Sequence, residues 1–290
     1  MPAALAFAFD PVIRLSETAS VRLETIGLAV VLFAGLLLAA RIASVTPAIA
    51  SVSPAQVLRV DDLVFMVVGA VPGAIVGGRL GYVLDHLAYY QAHPGAILDP
   101  AQGGLSLTLA VPLGLLTGGV IARLLGAPVS RWMHAIALPL LFVLGAGKLT
   151  GVLGGTGQGV PADLSWATAY VGPGPWGSLA ADVQSHPSQA YEAIAVGVVL
   201  AVVAILGRTR TFARRDGAIL YVALLLWAGA RFVVAFTWRD PVVAGPLRTE
   251  QLLLIVVVIL ALLGLLERAR AGGRVAVDPP EPVEVESSRT

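Results

Sequence analysis

Three cations stand inside apolar runs of this chain: Arg79 in "GGRLGYVL", Lys148 in "GKLTGVLGGTGQG" and Arg231 in "WAGARFVVAF". Lys148 is the single lysine against eighteen arginines. A charge in such surroundings is costly unless it meets a counter-charge, and it usually faces a cavity. Further along, "SHPSQAYEA" (185–193) places Gln189 and Glu192 three residues apart, on one face of a helix. Pro187 fits the first turn of that helix with His186 or Ser185 at its cap, and its free amides make an anion site. Three cations with one carboxylate leave net positive charge beside an apolar wall. The ligand that suits them is an anion with a greasy body, such as a phospholipid head group. Taken singly, each cation could instead snorkel to the interface or pair with Glu192 as structural glue.

The elements that must carry these residues follow from composition. Of 290 residues, 57% are hydrophobic and 13% charged, about half the charged fraction of a soluble protein. Apolar runs of bilayer length recur, so the fold class is all-α, a polytopic membrane protein. A net charge of +1 argues against nucleic acid as a partner. The absence of cysteine removes disulfides, thiolate metal sites and a cysteine nucleophile, and four scattered histidines make no metal cluster. No metal and no cofactor are expected.

Seven spans of about 20 residues are expected near 26–44, 62–84, 105–125, 132–153, 188–206, 217–237 and 250–267. The connections 1–2, 3–4 and 5–6 and the C-terminal tail hold twelve arginines, from Arg41 to Arg289. The opposite side has Arg14, Arg22, Arg239 and Arg248. This asymmetry puts the N-terminus outside and the C-terminus in the cytoplasm. "MPAALAFAFDPVIRLS" lacks a basic n-region and is not read as a cleaved signal peptide. The seven-span domain then covers 1–270 with an extracytoplasmic loop at 154–186. Trp166 and Trp176 suit a loop resting on the membrane interface, and the acidic, proline-rich segment 271–290 reads as a disordered tail.

With that topology the rise of a helix puts Lys148 about 24 Å and Arg231 about 21 Å above the cytoplasmic face. Glu192 lies about 7–8 Å below the outer surface by the same rule, and Arg79 about a turn below the end of span two. All reach the outer half of the membrane. The glycines around Arg79 and Lys148 are too dense for rigid helix and predict irregular backbone lining a cavity; close helix packing is the competing reading.

Together these residues resemble the prolipoprotein diacylglyceryl transferase family, from about Phe9 to Leu266. The most specific pieces are "AIVGGRLGYVLDHLAYYQAHPGAILDPAQGGLS" (74–106) and "HPSQAYEA" (186–193), with "ARFVVAF" (230–236) and "LRTEQLLL" (247–254) behind them. The resemblance implies transfer of a diacylglyceryl group from phosphatidylglycerol to the lipobox cysteine of a prolipoprotein signal peptide, releasing glycerol phosphate. The nucleophile would then belong to the substrate. It further implies a multi-pass protein of the bacterial plasma membrane, with Lys148, Arg79, Arg231 and Gln189 holding the lipid phosphate. The catalytic residues would be His186, Glu192 and Arg231, with His186 or Glu192 as base.

The chain departs from the family pattern at several places. Lys148 stands where the signature has arginine, Gly151 and Gly154 where it has asparagines, and Thr156 where it has glutamate. Thr108 falls where the family has histidine, Ile26 where a tyrosine is expected and Ala235 where a glutamate is expected. A homologue that binds phospholipid or lipoprotein precursor without reacting is therefore the alternative. A lipid or organic-anion transporter is disfavoured, since the two halves show no internal repeat.

Overall fold

The computed structural model describes residues 5–47, 57–99 and 104–275. Each apolar run becomes a helix, because a chain in hydrocarbon must satisfy its backbone groups internally. The helices are α1 (Leu23–Val45), α2 (Val60–Asp85), the short α3 (Leu87–Ala92), α4 (Leu107–Leu124), α5 (Val129–Gly154), α6 (Ser188–Leu206), α7 (Ala218–Val234) and α8 (Thr249–Val275). All but α3 are long and apolar enough to cross a membrane, α7 with its 3₁₀ extension to Thr237. The seven expected spans are all present. α3 and the 3₁₀ turn Pro94–Leu98 add structure within the second connection. α8 continues as helix to Val275, and the rest of the expected tail, 276–290, lies outside the described residues.

Two apolar clusters hold the bundle. Trp227, Leu141, Leu254, Val196 and Val203 join α5 through α8, while Trp132, Ala39, Ala43, Leu63 and Met66 join α1, α2 and α5. α2 meets α4 through small residues. Gly69, Gly73, Gly77 and Gly81 recur every fourth position, and a Cβ on Gly77 would stand 2.3 Å from the Leu109 carbonyl oxygen. This backbone-to-backbone approach is the glycine packing common between membrane helices. The expectation of irregular backbone is corrected around Arg79 and Lys148 and holds only beyond Gly154. α2 is helical through Gly77, Gly78 and Gly81, and α5 is helical through Gly145, Gly147 and Gly151 to Gly154. Gly155 and Gly157, by contrast, take positive φ, and Gly157 lines a cavity. Packing against a neighbour outweighs the weak propensity of the glycines.

One end of the bundle is capped. β1 (Leu5–Phe7) pairs in parallel with β4 (Thr168–Tyr170), while β2 (Val12–Arg14) and β3 (Ser20–Arg22) form a hairpin leading into α1. A second small hairpin, β5 (Val242–Ala244) with β6 (Leu247–Arg248), joins α7 to α8. Phe7 stacks on Tyr170 at 5.1 Å, and Trp176 packs against both Tyr170 and Phe9. Of the two tryptophans expected at the interface, Trp176 is turned into this aromatic stack. Trp166 is 53% exposed and donates to the Tyr191 hydroxyl.

Candidate active site

Beneath the cap, α5, α6, α7 and α8 converge on a cavity of about 250 Å³. Lys148 lies six residues from the end of α5, Glu192 four from the start of α6, Arg231 three from the end of α7, and Glu250 second in α8. At 1.5 Å per residue all four fall within about 10 Å of their helix ends. Gln189, one turn before Glu192, also lines the cavity, and Gly157, Gln158, Trp238, Arg239 and Asp240 complete the wall.

Arg231 is the hub. It is 3% exposed, its Nη1 donates to Glu192, and its Nε and Nη2 donate to Glu250 Oε1. Trp238 covers its flat face, with the ring centroid 4.5 Å from the guanidinium carbon. Lys148 Nζ stands 3.3 Å from Glu192 Oε2. The cations and carboxylates on the wall therefore balance: Lys148, Arg231 and Arg239 face Glu192, Asp240 and Glu250. The net positive charge expected from three cations and one carboxylate is corrected by Glu250 and Asp240. One N–H on each terminal nitrogen of Arg231, and two on Lys148, still have no partner among the described residues.

Gln189 is 2% exposed; its Nε2 donates to the Tyr170 hydroxyl at 2.7 Å, and its buried Oε1 has no partner among the described residues. Burial pushes the Tyr170 phenol up to about 12, the Gln189 hydrogen bond pulling it partly back. Arg239 pins the cap. It donates to the Gly159 carbonyl at 2.6 Å and to Ser185 Oγ at 2.8 Å, and burial draws its pKa below the usual guanidinium value. Gln158 ties β4 to the segment before α6 by donating to the Thr168 and Val183 carbonyls.

The structure unites Lys148, Gln189, Glu192 and Arg231, four residues picked out in the sequence. It does not bring His186 or Arg79 to the cavity wall. His186 precedes α6 with its Nδ1 3.3 Å from the Tyr191 hydroxyl, and α6 starts at Ser188 without a side-chain cap from His186 or Ser185. Arg79 grips the carbonyls of Ala96, Ile97 and Asp99 and lies over the rings of Tyr82 and Tyr90.

Glu250, Asp240 and Tyr170 were missed. Glu250 reads in sequence as an ordinary acid in the first turn of a helix, next to Gln251, which staples β6 and α7 through Arg248 N and the Phe232 carbonyl. Two of the substituted signature positions are also explained. A Cβ on Gly154 would stand 2.1 Å from Glu24 Oε2, and Glu24 Oε1 accepts from Thr156. The space an asparagine would occupy at 154 is thus filled by a carboxylate from α1. Outside the signature, where the family has histidine, Thr108 Oγ1 donates to Glu250.

The sequence model for prolipoprotein diacylglyceryl transferase matches residues 15–266. The chain belongs to the prolipoprotein diacylglyceryl transferase family. A phosphatidylglycerol–prolipoprotein diacylglyceryl transferase of Geobacter sulfurreducens is 34% identical over 206 residues, 68% of this chain and 74% of the relative. Relatives of the same name from Wolinella succinogenes (36%, 58% of this chain, 61% of the relative) and Ruegeria pomeroyi (33%, 70% and 68%) are similar to it. The match to the Wolinella relative spans less than two thirds of that protein. Within the prolipoprotein diacylglyceryl transferase family this chain carries its charged cavity as two buried carboxylates around one arginine, with a lysine at the rim.

Proposed function

We propose that the chain transfers the diacylglyceryl group of phosphatidylglycerol to the lipobox cysteine thiol of prolipoprotein signal peptides, at the outer leaflet of the bacterial plasma membrane. The observation that carries this reading is the convergence of Lys148 and Arg231 on one cavity, each with N–H donors left over, in a chain of this family. The leaving group is a phosphate ester, and donors fixed where its charge develops are the main source of rate in such a site. Lys148 and Arg231 hold the phosphate, Gln189 accepts from the head group, and Glu192 keeps the two cations in register. Arg79 and His186 act from outside the wall, Arg79 by holding the 96–99 segment and His186 through Tyr191. The orientation follows the arginine asymmetry, N-terminus outside and C-terminus in the cytoplasm. Complementation of a bacterium depleted of its own transferase tests the reading: growth and lipidated lipoprotein are expected, and failure of a well-expressed, membrane-inserted chain would overturn it.

A further inference from the structure

The two buried carboxylates are not equivalent. Glu192 has both oxygens held by cations, Oε1 by Arg231 and Oε2 by Lys148. In Glu250 every donor converges on Oε1: Ser106 Oγ, Thr108 Oγ1, and Nε and Nη2 of Arg231. Its Oε2 takes no hydrogen bond from any described residue, and Glu250 lines the cavity. A carboxylate clamped through one oxygen is oriented, and the other keeps its lone pairs for an incoming proton. The remaining candidates fail on geometry: Lys148 Nζ is already engaged by Glu192 Oε2, and His186 does not reach the wall.

We infer that Glu250 is the proton acceptor for the thiol, with Thr108 as the positioning residue that turns Oε2 toward the cavity. The inference rests on the proposed transferase reading. The thiol proton passes to Glu250 Oε2 as sulfur bonds to the glyceryl carbon. The bond from that carbon to the phosphate oxygen breaks, its electron pair leaves with glycerol phosphate, and the leaving group takes the proton from Glu250. The charged groups facing Glu250 are Arg231 on α7, Lys148 on α5, Glu192 on α6, Arg239 and Asp240 after α7, and Asp85 at the end of α2. Arg231 donates to its Oε1, and the phosphate brought to Arg231 competes for the same guanidinium.

The test is the pH profile of transfer by full-length protein in phosphatidylglycerol vesicles, with a synthetic lipobox peptide. The wild type is expected to run nearly flat from neutral pH to about 8.5, the ordinary thiol value, because a carboxylate base takes the thiol proton without requiring free thiolate. Glu250→Gln keeps the size and the Thr108 and Arg231 contacts but cannot take a proton. It should lose roughly a hundred- to ten-thousandfold at neutral pH and regain about tenfold per pH unit as the thiol ionises by itself. Glu250→Asp and Thr108→Val keep the carboxylate, so each should be slower with the flat profile retained. A Glu250→Gln profile parallel to wild type, or its inactivity at every pH, overturns the role. So does a sloped profile for Glu250→Asp, which decides the matter if Glu250→Gln does not fold. A wild type that transfers nothing to the peptide would instead sink the transferase reading itself.

Discussion

Glu192 and Glu250 hold opposite edges of one guanidinium, that of Arg231, from two different helices. Neither carboxylate has another arginine partner among the described residues, so Arg231 is at once the centre of the cavity and a tie between α6, α7 and α8. Removing one partner of a buried ion pair leaves uncompensated charge and costs about 3–5 kcal/mol. Arg231→Ala is therefore expected to lower thermal stability in detergent as well as to abolish transfer. Arg231→Lys keeps the charge without the planar fork and should recover part of the stability and little activity. An Arg231→Ala protein as stable as wild type would show that the two carboxylates do not depend on it.

Tyr170 supplies a test of the cap. Its phenol, pushed up to about 12 by burial, stays neutral in the fold where an unfolded tyrosine ionises near 10. The sign follows from the raised value: this contribution is fully present below about pH 10 and is lost as pH rises towards 12. Titration of phenolate absorbance should show one late-titrating tyrosine fewer in Tyr170→Phe than in wild type. An equal late amplitude in both proteins would mean that the cap does not bury this side chain.

The orientation rests on counted arginines and is open to direct test. Reporter fusions after Arg214 should report cytoplasm, and fusions within 160–180 should report the exterior. A reversed pattern would move the cavity to the inner leaflet and leave the outer-leaflet substrate without access.

The spans were legible because hydrocarbon demands long apolar helices and few sequences satisfy it by accident. The grouping of Lys148, Glu192 and Arg231 was legible because depth follows from helical rise once the spans are drawn. Their counter-charge was not. Glu250 sits where any helix can carry an acid, and its inward direction depends on how α8 packs on α7. The glycines of α2 misled for a related reason. Taken alone they disfavour helix, and only the facing backbone of α4, from Leu109 to Leu113, shows what they are for.

Lys148 is the accessible cation of the pair, with a side chain 26% exposed against 4% for Arg231. Because Arg231 still holds Glu192 when the lysine is lost, Lys148→Met should fold and insert normally. Loss of a charged hydrogen bond costs about 1.5–3 kcal/mol, so phosphatidylglycerol binding should fall about ten- to hundredfold and transfer with it. Lys148→Arg should preserve or raise activity, since the planar fork grips phosphate in two places. If Lys148→Met matched wild type in both assays, the lysine would be a snorkelling bystander.

Gln189 separates binding from stability. Its Oε1 is buried without a partner among the described residues while its Nε2 is held by Tyr170, and an unpaired buried acceptor costs about 1–3 kcal/mol. A fold gains nothing from that atom, whereas a head-group hydroxyl in the cavity would satisfy it. Gln189→Met keeps the length and removes both polar atoms. The thermal midpoint without lipid should stay within a few degrees of wild type, because the lost Tyr170 contact is offset by removal of the orphaned acceptor. Affinity for phosphatidylglycerol should drop about two- to twelvefold, the value of one hydrogen bond of about 0.5–1.5 kcal/mol. A competing phospholipid without head-group hydroxyls should bind both proteins alike. A variant that lost affinity for both lipids equally would place Gln189 on the phosphate, and one that lost none would make it part of the scaffold.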